Sequence, residues 1–66
     1  MAVARVTEII AAGPSLEKAI EAGIERANET LKNVKSAWIK DQTAVVEDGR
    51  ITEYRVGLKV TFVLED

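Results

Sequence analysis

The chain has 66 residues, 47% of them hydrophobic and 30% charged, with a net charge of −2 and neither cysteine nor histidine. A domain this short buries only about 60% of the surface its unfolded chain exposes, and without cysteine it has no disulfide staple or thiolate metal site to compensate. The absence of histidine removes the commonest general base and a leading metal ligand, so no Ser-His-Asp or Cys-His arrangement can be built; the nine Lys and Arg are scattered rather than clustered, which argues against a nucleic-acid partner.

No uninterrupted apolar segment approaches transmembrane length, and the N-terminus lacks a signal-peptide core, so a cytoplasmic protein with no membrane partner is expected. There is no repeat, low-complexity tract or linker, and residues 1–66 read as a single domain.

The first predicted strand runs from Val3 to Ala11, rich in Val and Ile, and ends at the breaker Ala12-Gly13-Pro14. Ser15 then reads as a helix N-cap, with Glu17 in the first turn complementing the helix dipole. Leu16, Ile20, Ile24, Ala27, Leu31 and Val34 follow at steps of three or four and form one apolar stripe of a helix of about 20 residues. Its other face carries Lys18, Glu21, Glu25, Arg26, Glu29 and Lys32, a solvated surface. Gly23 costs the helix roughly 1 kcal/mol against alanine and is suited to close approach of a strand.

The last third alternates strictly. Tyr54, Val56, Leu58, Val60, Phe62 and Leu64 are separated by Arg55, Gly57, Lys59, Thr61 and Val63, the signature of a half-buried strand. Upstream, Glu47-Asp48-Gly49-Arg50 carries the Asp-Gly pair of a two-residue type I′ hairpin, so the preceding strand pairs antiparallel with the last one. Counting outward from that turn pairs Thr43 with Tyr54, Ile39 with Leu58 and Ala37 with Val60 on the core face. On the other face it pairs Gln42 with Arg55, Lys40 with Gly57, Trp38 with Lys59 and Ser36 with Thr61, a map that any bulge would partly invert. Asp41 falls on the core face, where an unpaired charge is costly, which suggests a bulge there or an exposed edge.

The fold expected is therefore α+β, in the order β-α-β-β, with a three-stranded antiparallel sheet around one long helix. Strands of about 13 residues reach roughly 43 Å against about 30 Å for the helix, so the sheet overhangs. Its far face would leave Trp38, Ala44, Val46, Ile51 and Val63 wet, and its edges are long enough to pair with another chain. A homo-oligomer follows from these features.

The order and length of these elements carry a family resemblance. With Val6-Thr7-Glu8-Ile9-Ile10 in the first strand, Glu25-Arg26-Ala27 in the helix, and Tyr54-Arg55-Val56 leading to Val60-Thr61-Phe62-Val63-Leu64-Glu65-Asp66, nearly the whole chain resembles a dodecin. The resemblance implies a hollow homododecamer that binds riboflavin, FMN or FAD near two-fold axes. In flavin-binding members a tryptophan early in the second strand stacks on the isoalloxazine, and a glutamine directly after the tyrosine of the third strand hydrogen-bonds its pyrimidine edge. An ungapped alignment puts Ser36 at that tryptophan position, with Trp38 two residues later, and Arg55 at the glutamine position. The loop Ala12-Gly13-Pro14-Ser15 also departs from the family's usual Gly-Thr-Ser. These features are closer to a dodecin-like subgroup lacking the flavin tryptophan, for which cation binding has been suggested.

Ser36, Trp38, Gln42 and Arg55 all fall on the expected non-core face, so these four are the candidate ligand residues for a flavin such as riboflavin or FMN. Trp38 offers a stacking surface, Gln42 a donor and an acceptor, and Arg55 donors only, suited to a carbonyl, a phosphate or a neighbour's carboxylate. The competing readings are structural. Trp38 over Lys59 is also a cation-π pair suited to a subunit interface, and Arg55 with Gln42 an interfacial hydrogen-bonded pair. Glu47, Asp48, Glu53, Glu65 and Asp66 would suit a calcium-type site only if symmetry gathered them, and otherwise form a solvated turn and tail, so no metal site is assigned. Glu8 or Asp41 would serve as a base, yet no pair of groups is arranged for a defined reaction, and catalysis is not expected. Two functions remain: a shell that sequesters a planar ligand, most readily flavin, or one that binds no flavin, is empty or cation-binding, and uses Trp38 as an interface residue.

Overall fold

The computed structural model describes residues 3–64, and they follow the expected order: β1 (Val3–Gly13), α1 (Leu16–Thr30), β2 (Val34–Glu47) and β3 (Arg50–Leu64). The strands form one antiparallel sheet in the order β1-β3-β2. The alternating strand is thus central, and both partners are edges.

Ser15 caps the helix as its sequence position dictates. Its backbone is extended (φ −149°, ψ 165°) and its side chain accepts from the Lys18 amide at 3.1 Å, satisfying one of the unpaired first-turn donors. The helix is shorter than expected, 15 residues rather than about 20. Leu31 is already extended, with its amide donating to the Ala27 carbonyl at 2.8 Å, and Asn33 turns the chain with φ 61°. The Val63 amide donates to the Asn33 carbonyl at 3.1 Å, so the helix exit is fastened to the end of β3.

The core is small. Val56, Leu58, Val60 and Phe62 of β3 are buried against Ala19 and Ala27 of the helix, each large side chain contributing about 1.5–3 kcal/mol by leaving water. The buried line on the helix is Ala19, Gly23 and Ala27, not the larger residues that the spacing singled out. Leu16, Ile20, Ile24, Leu31 and Val34 are only partly buried around it, and Val34 opens β2 rather than ending the helix. Small residues occupy the centre because the helix lies close to the sheet. A Cβ on Gly23 would stand 2.7 Å from Leu58 Cδ1 and 3.1 Å from Ala11 Cβ.

The hairpin forms as the Asp-Gly pair requires, with φ 50° at Asp48 and 74° at Gly49. Glu47 faces Arg50 and Val46 faces Ile51, as the count from the turn gives. The register then slips, because Thr52 is an extra residue on β3, and its hydroxyl donates to the Val45 carbonyl at 3.3 Å. It slips back at Lys40, an extra residue on β2. Ile39 opposite Leu58, Trp38 opposite Lys59, Ala37 opposite Val60 and Ser36 opposite Thr61 are again where the sequence puts them. Between the two bulges every pairing is corrected by one. Ala44 faces Tyr54, Thr43 faces Arg55, Gln42 faces Val56 and Asp41 faces Gly57. A one-residue slip exchanges faces, so Asp41 leaves the core side and Gln42 and Ala44 join it.

A single chain covers this sheet poorly. Its accessible surface is 5068 Å², against about 4,100 Å² for a compact monomer of this mass. Its radius of gyration is 13.7 Å and its longest dimension 52 Å, where a compact chain of this length has a radius of gyration near 11 Å. Val6, Ile10 and Trp38 on the uncovered face are 56%, 80% and 61% exposed. Among the described residues no helix is long and apolar enough to cross a membrane.

Candidate functional site

The face of the sheet turned away from the helix is built in rungs across the three strands. In order they are Val6, Thr61 and Ser36; then Glu8, Lys59 and Trp38; then Ile10, Gly57 and Asp41; then Ala12, Arg55 and Thr43. Of the candidate ligand residues, Ser36, Trp38 and Arg55 therefore share this outer face. Gln42 does not. It lies in the row of Val56 and lines a small cavity with Leu16, Ala44 and Tyr54 at the start of the helix. The expected pair of Gln42 with Arg55 is replaced by Thr43 with Arg55, because the Thr52 and Lys40 bulges bracket this stretch.

Trp38 carries the expected cation. Lys59 Nζ stands 5.2 Å from its ring centroid, within the range in which an ammonium is attracted to the ring face. One rung along, Gly57 leaves a gap in the row of β3 side chains. The Asp41 carboxylate lies over that gap, with Oδ2 only 3.3 Å from where a Cβ on Gly57 would stand. Beside it, Lys40 Nζ reaches Glu8 Oε2 at 3.1 Å, and this hydrogen bond, followed by the charge of Glu8, raises the lysine above its ordinary value of 10.5. At the next rung Arg55 Nε donates to Glu53 Oε2 at 2.5 Å.

Ile10, Gly57, Asp41, Thr43 and Arg55, together with Gln42 and Val56, line a cavity of about 330 Å³. Counting from the turn missed Asp41 and Ile10 as members of the site. The signals were present: Lys40-Asp41-Gln42 interrupts the alternation with three polar residues, and a glycine inside a strand marks a close approach. A larger cavity of about 450 Å³ is lined by residues of β1 and the helix, mainly apolar and small side chains including Ile9, Ala22 and Leu31. Among the described residues no group of three or more carboxylates is gathered as a metal site. Glu65 and Asp66, named above for a calcium-type site, lie outside the described residues.

The family model described as Dodecin matches residues 3–65. Solved dodecins superpose on the whole fold. That of Streptomyces davaonensis is 33% identical with a TM-score of 0.93, covering 98% of this chain and 97% of its own. That of Streptomyces coelicolor is 30% identical with a TM-score of 0.92, covering 98% and 94%. A Thermus thermophilus dodecin mutant is 30% identical with a TM-score of 0.93, covering 100% of both chains. No curated protein sequence matches the chain. The β-α-β-β topology is that of these structures, and a dodecameric assembly is consistent with them.

Proposed function

The chain belongs to the dodecin family, and from that premise we propose that it forms a homododecameric shell that binds a small planar ligand on the outer face of the sheet, without catalysis. Flavin, as riboflavin or FMN, is the ligand the face suits best. The observation that carries this reading is Trp38, 61% exposed at the middle of an otherwise uncovered sheet face. An exposed indole with a cation at 5.2 Å offers a flat, polarised surface, and offset aromatic stacking adds about 0.5–1.5 kcal/mol beyond area burial. Ser36 one rung away and Arg55 beyond Gly57 supply polar groups at the margins of that surface.

Titrating FMN or riboflavin with the assembled protein tests the reading. Stacking on Trp38 is expected to quench flavin fluorescence at micromolar protein, and Trp38→Ala to abolish the quenching while light scattering still reports the assembly. No quenching by the native protein overturns flavin binding.

A second reading is favoured by the same contact. Lys59 already covers part of the indole, and the excess accessible surface calls for a partner, so Trp38 also suits an interface between subunits of a shell that binds no flavin. Under that reading Trp38→Ala dissociates the assembly, and an intact dodecamer in the variant rejects it.

A further inference from the structure

We propose that Asp48-Gly49, the tip of the hairpin between β2 and β3, is a site of spontaneous backbone isomerisation, at which Asp48 passes through a cyclic imide to an isoaspartyl residue. The inference concerns the turn alone and is independent of any ligand on the sheet.

The change is a dehydration followed by a hydration. The Gly49 backbone nitrogen attacks Cγ of Asp48 and an N–Cγ bond forms, while the carboxyl loses its hydroxyl and the nitrogen its proton, which leave together as water. Water then adds to one of the two imide carbonyls. Opening at Cγ restores aspartate, whereas opening at the main-chain carbonyl leaves the chain running through Cβ and Cγ with the α-carboxylate free. No electrons are transferred, and water is the only co-reactant.

The attacking group is unhindered. Gly49 carries no side chain beside its amide, and nothing stands within 4 Å of where a Cβ would lie. Glu47, Asp48, Gly49 and Arg50 are all exposed, and the Asp48 carboxylate makes no hydrogen bond or ion pair among the described residues that would hold it away.

The tip is also weakly held. Pairing with β1 ends opposite Tyr54, so beyond that residue the hairpin is a two-stranded ribbon, a form marginally stable by itself. Only two rungs, Glu47 with Arg50 and Val46 with Ile51, close it before the Thr52 bulge interrupts the ladder. At φ 50° Asp48 is fixed in the left-handed conformation of the type I′ turn, and ring closure requires rotation about its Cα–C bond out of that turn. The reaction therefore waits on opening of those two rungs, a local event of low cost where backbone hydrogen bonds are exposed and buried apolar contacts few.

Asp41 is the internal contrast. The residue after it is Gln42, whose side chain crowds the amide, and its partner Gly57 is paired on the other side with Ile10, so it lies in the three-stranded part of the sheet. It should stay intact. An isoaspartyl residue at 48 adds one carbon to the main chain at the turn whose length fixes the register of β2 on β3. Its free α-carboxylate belongs to the chemical class on which isoaspartyl carboxyl methyltransferases act.

The test ages the assembled protein for weeks near neutral pH and physiological temperature, then digests it with trypsin. Cleavage after Lys40 and Arg50 releases residues 41–50, which carry both aspartates, and electron-based fragmentation tells which of them has isomerised. Isoaspartate should accumulate at 48 and accept a methyl group from an isoaspartyl methyltransferase, with residue 41 at least several-fold lower. The chain has no cysteine, so Val46→Cys with Ile51→Cys provides one disulfide across the rung behind the turn, its closure verified by thiol titration. The oxidised variant should isomerise several-fold more slowly than the same variant reduced. No product at 48 in the assembled protein while the chain unfolded in guanidinium forms it, or equal product at 41, overturns the site. Equal rates in the oxidised and reduced variant overturn the opening step.

Discussion

Lys40 and Glu8 belong to opposite edges of the sheet, yet their charged groups meet at 3.1 Å. The pair spans the central strand between the two edges. Lys40 can reach because it is the extra residue of a bulge, and bulges re-aim side chains that regular pairing would fix. The contact thus ties two strands that share no backbone hydrogen bonds.

Both partners are largely solvated, so the bond is expected to matter through its pH and salt dependence more than its size. Because the folded value of Lys40 is raised, its contribution is complete below the unfolded lysine value and is lost as pH rises through the higher folded one. The melting temperature of the native protein should exceed that of Lys40→Met at neutral pH and low salt. The difference should begin to fall as pH passes the ordinary value of 10.5 and vanish only above the raised folded value, and a difference unchanged across that range would show that the ion pair is not its source.

Gly23 sets helix against sheet. Alanine favours a helix by roughly 1 kcal/mol, but here its methyl would meet Leu58 Cδ1 at 2.7 Å and Ala11 Cβ at 3.1 Å. Overpacking of a tight core costs about 1–3 kcal/mol, so Gly23→Ala should be destabilising, by chemical denaturation, despite the better helix former. A more stable variant would mean that the helix can move away from β3 at no cost.

Leu58 is fully buried at the point where helix and sheet meet. Truncation to alanine leaves a cavity as well as losing transfer energy, at about 2–5 kcal/mol. Thermal and urea denaturation of Leu58→Ala should show a loss of that order, whereas Val6→Ala, on the exposed face, should change the stability of a single chain little.

Gly49 tests the hairpin. At φ 74° with nothing within 4 Å, a side chain there meets no neighbour, only the backbone penalty of the left-handed region, about 1–2 kcal/mol. Gly49→Ala should lower stability by about that amount. Gly49→Asn, a residue that tolerates this region, should recover part of it.

Much of the fold was legible because the signals were redundant. The alternation of β3 and the Asp-Gly turn each demanded an antiparallel pair, and Ser15 marked the helix start. The Trp38–Lys59 rung was legible because two slips of opposite sense lie between it and the turn. The residues inside those slips were not. Alternation reports which face a residue occupies only while the register holds, and Lys40 and Thr52 are ordinary strand residues whose extra length shows only against a partner. The helix end was missed because Leu31 and Val34 continue the apolar spacing although the backbone has already left the helix at Leu31.

The two bulges act on the sheet as a paired insertion acts on a reading frame. One residue gained on β3 and one gained on β2 leave the turn and the pairings from Ser36 to Ile39 in phase, and transpose Asp41, Gln42, Thr43, Ala44 and Val45; a further irregularity before Ser36 puts Val34 opposite Phe62. The chemistry of the outer face can then be rewritten without touching the turn, the indole or the core. Removing Lys40 and Thr52 together would restore the older phase, returning Gln42 to the side of Trp38 and Asp41 to the helix, where its charge would have no water. In this chain, which side chains share the outer face with Trp38 is thus set by strand length as much as by residue identity.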